Sequence, residues 1–217
     1  MFKQYLVIGA GRFGSSVATT LYELGHDVMV VDIDAALVQQ ISESVTHAVQ
    51  ADATSEAALS SLGIKDFDVI VVAIGHEIQS SIMTCILLIE MGARYVVAKA
   101  QTELHGKVLS KIGVNRVVFP ERDMGQKLAH SLNAFNVIDL IELSADSSVV
   151  EVTAPAELVG RSLQELNLRA RYGINVIALR GKDGKTNIFP GAEDKINKDD
   201  LIVAVGNNKA LKKMGWI

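Results

Sequence analysis

A glycine-rich turn near the start of the chain has the residue types and the spacing that bind phosphate. Gly9, Gly11 and Gly14 follow a short apolar run in the pattern G-x-G-x-x-G. The first glycine permits a sharp turn out of a strand, the second lets the backbone approach a pyrophosphate, and the third lets a helix pack closely on the sheet. Free N–H groups at the start of that helix attract phosphate, helped by the helix dipole. The segment predicts a nucleotide site, and the alternative is a glycine turn that serves packing alone.

An acid closes the strand that follows, about 20 residues after the glycines, as the dinucleotide-binding fingerprint requires. Asp32 comes directly after the apolar run at 28–31. We expect its carboxylate to accept hydrogen bonds from ribose hydroxyls, an arrangement that disfavours the 2′-phosphate of NADP.

Arg12 and Phe13 fill two variable positions inside the glycine turn. A guanidinium there would reach across the phosphates and add a bidentate, charge-assisted contact to the backbone N–H groups. The alternative is a solvated arginine at a helix start, where the dipole slightly disfavours a cation. That cost favours a ligand or an acidic partner nearby.

Other polar residues end further predicted strands, at the edge of the sheet where open α/β folds bind their ligands. Asp52 lies either near an adenine or at a solvated strand end, and Lys99 either meets phosphate or is an exposed loop lysine. Gly75 would let the backbone approach the nucleotide. Glu121 opens the exit helix, where an acid on its own is ordinary complementation of the helix dipole.

Apolar runs and helical patterns alternate along residues 1–120 and predict the elements that position these groups. Six short strands alternating with helices are typical of a doubly wound parallel sheet. The run at 69–74 is apolar throughout, as expected for a parallel strand covered on both faces. Thr54 is predicted to cap the helix that follows Asp52. This part of the sequence predicts a Rossmann-like α/β unit.

The pattern changes after a predicted exit helix at 121–132. Short strands and turns then predict a small α+β domain of ordinary size. They include a hairpin turn at 181–184 with its return strand at 186–189, and a last strand at 201–205 followed by a lysine-bearing tail. We therefore predict two domains, 1–135 with the exit helix and 136–217.

Composition argues against several classes of function. The formal net charge of −4 and the pI near 5.7 disfavour nucleic acid as the main partner. Cys85, the single cysteine, lies in an apolar helical pattern and is expected to be a buried structural thiol. The five histidines lack metal-binding spacing, which argues against a zinc site. No apolar run approaches the roughly 18 residues of a membrane span, and no signal peptide precedes the glycine turn, so a cytoplasmic location is expected.

Several short strings occur in the order and spacing of one known family. They are VIGAGRFG at 7–14, VD at 31–32, ADAT at 51–54, VAIG at 72–75, AKA at 98–100 and PERDMG at 120–125. Together they resemble the N-terminal RCK (KTN) domain of bacterial potassium-transport regulators, and a small RCK C-terminal domain would account for the rest. The chain is most similar to the cytosolic gating subunits of Ktr-type potassium uptake systems.

The resemblance implies an ATP or ADP site in the first domain, with Asp32 on the ribose and Asp52 near the adenine. Arg12 would report the γ-phosphate, directly or across a subunit interface. Glu121 would help to bind Mg²⁺ or another divalent cation near the terminal phosphates. Some family members take NAD or NADH at the same crevice. The residues assigned to the crevice are Gly9, Gly11, Arg12, Phe13, Gly14, Asp32, Asp52, Ala53, Ile74, Gly75 and Lys99.

The resemblance also implies an assembly. A helix that includes Met124 would cross to a neighbouring subunit and build homodimers, which assemble into an octameric ring. The ring would lie at the inner face of the cell membrane, held there by a membrane-embedded potassium channel subunit whose flux it controls. No enzymatic activity is implied.

A second ligand is implied for the C-terminal domain, where family members bind cyclic di-AMP at a dimer interface. Arg169 would pair with phosphate, Ala170 and Asn175 would lie beside it, and Ile174 with Pro190 would sandwich a base. The alternative is purely structural, with Ile174 in the core and Asn175 at a strand edge.

Two other classes of protein use a Rossmann core. A small NAD-dependent oxidoreductase would need a proton donor over the nicotinamide, and no residue stands out for that task. A redox-sensing DNA-binding repressor would need a basic helical module, which neither end of the sequence supplies. The sequence therefore predicts a regulatory subunit, with the oxidoreductase as the alternative.

Overall fold

The structure is a computed structural model that describes residues 3–75, 77–133 and 137–217. It divides into two compact units, Met1–Glu121 and Arg122–Ile217. The domain boundary predicted at 135/136 lies outside the described residues and stays a prediction.

The first unit is built on a six-stranded sheet in the order β3-β2-β1-β4-β5-β6. Every neighbouring pair in it is parallel, which confirms the doubly wound sheet predicted from the alternating pattern. The strands are β1 (Gln4–Ile8), β2 (Asp27–Asp32), β3 (His47–Gln50), β4 (Val69–Val72), β5 (Val96–Lys99) and β6 (Arg116–Val118). The order reverses between β1 and β4, and ligands of such sheets bind beyond the carboxyl ends of the strands at that point.

Helices cover both faces of this sheet, so alternate residues of its central strands enter two separate cores. Leu6 and Ile8 belong to the core on one face, while Val7 belongs to the core on the other. The helices are α1 (Arg12–Glu23), α2 (Ala35–Ile41), α3 (Glu56–Ser61), α4 (Ile78–Glu90) and α5 (Glu103–Lys111). A further helix, α6 (Pro120–Asn133), begins where the first unit ends. Cys85 is fully buried in the first of the two cores, as predicted.

The second unit contains an antiparallel five-stranded sheet in the order β10-β9-β11-β8-β7. Its strands are β7 (Val137–Ser144), β8 (Ser147–Thr153), β9 (Asn175–Arg180), β10 (Thr186–Asn187) and β11 (Leu201–Asn207). Its helices are α7 (Leu163–Leu166), α8 (Leu168–Tyr172) and α9 (Asn208–Lys213). Alternate residues of β8 and β11 pack with Leu211 and Trp216 in one core, which confirms a small α+β domain.

Two local predictions were wrong. The helix after Asp52 is capped by Ser55, whose side chain accepts from the N–H of Ala58, while Thr54 donates to Asp52 instead. The return strand of the hairpin is confined to Thr186–Asn187, because a proline follows and cannot donate to a ladder. The lysine-bearing tail, for which no element was predicted, forms α9, which buries Leu211 completely.

Within the described ranges, no helix combines the length and the apolar character that crossing a membrane requires.

Candidate functional site

The three positions of the turn are glycine for three different reasons. Gly9 adopts a φ of +102°, which other residues rarely adopt. A β-carbon at Gly14 would lie 1.8 Å from the carbonyl oxygen of Gly9, so only glycine lets α1 pack so closely on β1. Gly11 has ordinary extended backbone, and a β-carbon there would have no atom within 4 Å. The fold itself does not require Gly11, so its lack of a side chain leaves open space in front of the start of α1.

The start of α1 has the features of an anion site. Gly11 is its N-cap, no side chain caps it, and its first turn contains no acid. Its first N–H groups therefore lack an intrahelical partner while the helix dipole concentrates positive potential beside them. A phosphate beside Gly11 would satisfy both.

Asp32 holds the turn in shape from the end of β2. Its two carboxylate oxygens accept from the backbone N–H of Ala10 at 2.6 Å and of Asp34 at 2.9 Å. Ser15 adds a bond from its hydroxyl to the carbonyl of Ala10 at 2.6 Å. An ionised carboxylate offers about four acceptor sites, so Asp32 retains capacity for the ribose hydroxyls predicted for it.

Arg12 and Phe13 point to different surroundings. Arg12 is exposed in the first turn of α1, and its positive charge is among the groups that lower the pKa of Glu121. Phe13 is half-buried and packs against the core on one face of the sheet. The side chain of Phe13 therefore anchors the turn, and any contact of this residue with phosphate would come from its backbone.

An ion pair closes the other side of this crevice. Lys99, at the end of β5, donates from Nζ to Oε1 of Glu121 at 2.6 Å. The same Nζ lies 5.9 Å from the centre of the Phe13 ring, and a β-carbon at Gly75 would be 3.5 Å from it. The hydrogen bond from Lys99 is the main cause that holds the pKa of Glu121 below its usual value. The sheet thus brings Lys99, Gly75 and Glu121 to the glycine turn.

Asp52, Ala53 and Ile74 lie in loops after β3 and β4. Asp52 is exposed and accepts from the hydroxyl and the N–H of Thr54, at 2.7 and 2.8 Å, and these bonds lower its pKa. Ala53 is buried, and its carbonyl accepts from Thr84 at 3.2 Å. Ile74 is half-buried against the core. The Asp52 loop is thus fixed by its own hydrogen bonds, and no direct contact joins it to the glycine turn among the described bonds.

Comparison with known proteins matches both units to described families. Residues 5–120 match the TrkA-N domain and residues 148–215 match the TrkA-C domain. The chain belongs to the TrkA family.

TrkA-family relatives cover nearly its whole length. The chain is 43% identical over 208 residues to Ktr system potassium uptake protein C of Bacillus subtilis (strain 168). The matched region covers 95% of this chain and 93% of that relative. It is also 43% identical over 211 residues to Ktr system potassium uptake protein A of the same organism, with 97% and 95% covered. The resemblance predicted from the sequence motifs is therefore confirmed.

A solved structure has the same fold. The GsuK RCK domain matches with a TM-score of 0.69 at 18% identity, over 100% of this chain and 47% of that one. This chain therefore spans about half the length of that solved chain. At this identity the match establishes the RCK fold of the TrkA-family chain.

The TrkA-C unit has a pocket of about 320 Å³ where the second ligand was predicted. Arg169, Ile174, Asn175 and Pro190 line it, and Ala170, also predicted, does not. Ile174 is fully buried in the core, so it forms a wall of the pocket without an exposed face. The other lining residues are Leu163, Gln164, Asn167, Leu168, Val176, Gly191 and Ala192.

Sequence reasoning missed two features of the TrkA-N site. The Lys99–Glu121 ion pair joins residues that are 22 positions apart in the sequence, and they meet because β6, which α6 follows, pairs in parallel with β5. The bond from Ala10 to Asp32 was also missed, although the position of Asp32 at the end of β2 was the signal for it.

Proposed function

We propose that this chain is the regulatory, gating subunit of a potassium uptake system and that it binds ATP and ADP at the glycine turn. Its relatives over nearly the full length are potassium uptake proteins of Ktr systems. The observation that carries the proposal is the open, uncapped start of α1 at Gly11, where a side chain would fit but none is present. Phosphate is the ligand that such a helix start binds.

ATP and ADP would act differently if Arg12 contacts the outermost phosphate. Arg12 is exposed at the first position of α1. The guanidinium group of an arginine donates two strong hydrogen bonds to a phosphate at once. A nucleotide shifts a conformational equilibrium only if it binds the two states with different affinity. Contact between Arg12 and the γ-phosphate in one ring geometry would supply that difference.

A divalent cation such as Mg²⁺ fits this site only together with the phosphates. Among the described residues, no group of three or more His, Cys, Asp or Glu side chains is arranged to hold a metal ion. Mg²⁺ is nevertheless often bound by one or two carboxylates plus the phosphates of a nucleotide. Glu121, whose side chain is 70% exposed beside the crevice, would be that carboxylate.

Assembly into dimers, which would in turn build an octameric ring, is proposed, and α6 supports its first step. Met124, Leu128 and Leu132 follow each other at four-residue spacing and are 65%, 57% and 71% exposed. An apolar stripe of this kind is the face that a helix buries against a partner. The ring would lie at the inner face of the membrane, on a membrane-embedded potassium channel subunit.

Cyclic di-AMP is proposed as an inhibitory ligand of the second unit. The pocket holds an exposed arginine, Arg169, next to Pro190, so it offers a phosphate partner and an apolar surface for a base. Because Ile174 is buried, its role in a sandwich around the base would require the pocket to open.

An NAD-dependent oxidoreductase is the second candidate, since the glycine turn and Asp32 also suit NAD. Titration calorimetry of the purified chain with ATP, ADP and NADH decides between them, together with the absorbance of NADH in the presence of candidate substrates. The proposal predicts binding of ATP and ADP and no oxidation of NADH. Turnover of NADH, or failure to bind any adenine nucleotide, would overturn it.

A further inference from the structure

The Lys99–Glu121 ion pair joins two residues with opposite exposure. The side chain of Lys99 is 11% exposed, whereas that of Glu121 is 70% exposed. A buried ammonium is strongly disfavoured without an anionic partner, but an exposed carboxylate is readily returned to water. If the pair separates, Lys99 must therefore keep an anion while Glu121 can leave.

The position of Lys99 makes a phosphate the anion that could replace Glu121. Its Nζ lies over the Phe13 ring, 5.9 Å from the ring centre, and beside Gly75. Phe13 belongs to the first turn of α1, whose N–H groups form the anion site described above. A phosphate bound at that helix start would therefore be in the neighbourhood of Lys99.

Glu121 connects this exchange to the exit helix. It is the second residue of α6, so its bond to Lys99 ties the first turn of that helix to the end of β5. An acid in the first turn of a helix is stabilised by the dipole, so Glu121 keeps this favourable interaction when it leaves Lys99.

We propose that the Lys99–Glu121 ion pair is a latch that nucleotide phosphate opens by taking Lys99 away from Glu121. The inference rests on the proposed nucleotide site. Lys99 then has two alternative partners: without nucleotide it holds the first turn of α6 to the sheet, and with nucleotide it binds phosphate. The carboxylate of Glu121 competes with phosphate for the same ammonium group.

Binding of ADP and of adenosine to four proteins tests this competition. They are the wild type, Glu121→Gln, Lys99→Met and the double variant, measured by titration calorimetry in EDTA so that divalent cations play no part. We expect Glu121→Gln to tighten ADP binding about fivefold or more when Lys99 is present, and less than about twofold in the Lys99→Met background, which is the non-additivity of directly coupled residues. Adenosine, which has no phosphate, should bind all four proteins alike.

Hydrogen exchange gives a second readout that does not depend on the Lys99→Met variant folding. ADP should speed exchange in peptides that cover 119–129 of the wild type, and Glu121→Gln should show that faster exchange without ADP. Equal effects of Glu121→Gln with and without Lys99, or exchange that ADP leaves unchanged, would overturn the latch. Failure of the wild type to bind ADP at all would overturn the proposed function as well, so the two failures are distinguishable.

Discussion

Gly11 and Gly14 look equivalent in the sequence, yet the structure gives them separate roles. Gly14 is required by packing, because a β-carbon would collide with the carbonyl oxygen of Gly9. Gly11 has room for a β-carbon and a backbone that any residue adopts, with φ −67° and ψ 179°. Gly14 therefore serves the stability of the fold and Gly11 the binding of a ligand, and mutation of each residue can test this.

Gly11→Ala should leave the fold intact and weaken nucleotide binding, because its new methyl group fills the space in front of α1. We expect the free energy of unfolding to change by about 1 kcal/mol or less, because alanine is a poorer N-cap than glycine but restricts the unfolded chain more. ADP affinity should fall by at least about tenfold, or about 1.4 kcal/mol of binding free energy. Gly14→Ala is the matched control and should destabilise the fold by about 1–3 kcal/mol through overpacking. Normal ADP binding by Gly11→Ala would contradict the assignment of this space to phosphate.

Cys85 should make stability fall at alkaline pH. Burial raises the pKa of its thiol from 9.0 to about 12, so the folded state holds the proton more tightly than the unfolded state. The contribution of the thiol is fully present below pH 9 and is lost as the pH rises towards about 12. Urea unfolding of the wild type and Cys85→Ala between pH 8 and 11 measures this, and the wild type should lose more stability over that range. Parallel curves for the two proteins would show that the thiol titrates alike in both states.

At the residue scale, the role of a residue could be predicted from the sequence where the residues next to it in the chain are enough to indicate that role. The glycine spacing and the acid at the end of β2 are properties of one short segment, so Asp32 and the glycines could be assigned without a structure. Lys99 and Glu121 could not, because each has an ordinary explanation when considered alone. Their partnership exists only once β5 and the start of α6 are adjacent in space.

At the element scale, α6 has an apolar surface that the single chain leaves uncovered. Its stripe of Met124, Leu128 and Leu132 is exposed, although the hydrophobic effect favours burying such a face. A second copy of the chain is the partner that the proposed dimer supplies.

Leu128→Glu should therefore break the proposed dimer, because it places a charge in the centre of the stripe that the dimer would bury. Sedimentation velocity should show a shift from dimer or larger species towards monomer, with an unchanged circular dichroism spectrum. The matched control is Gln126→Glu, an exposed position of α6 two residues away, on another face of the helix. If both variants remain assembled like the wild type, the stripe is not the dimer interface.

Elements were predicted best where the apolar pattern was strong and worst where polar residues concealed it. The six parallel strands were found from their apolar runs. Helix α9 was missed because its exposed lysines obscure the buried position of Leu211, and Trp216 beyond it enters the same core. The sequence predicted Thr54 as the N-cap of α3, but the N-cap is Ser55. Either of two neighbouring hydroxyl residues can cap a helix, and the sequence alone does not show which one does.

At the scale of the whole molecule, the proposed ring changes its shape according to the nucleotide that it binds. The γ-phosphate is the group that distinguishes ATP from ADP, and Arg12 is the exposed cation at the helix start that would receive it. A difference of a few kcal/mol in how the two ring shapes bind a nucleotide changes their ratio by about a hundredfold.

Small-angle X-ray scattering of the purified assembly with ATP and with ADP tests this claim most directly, with Arg12→Gln measured beside the wild type. The account predicts two distinct scattering profiles for the wild type, and for Arg12→Gln a single profile that matches the wild type with ADP. One and the same profile for the wild type with both nucleotides, under conditions where both are bound, would contradict it.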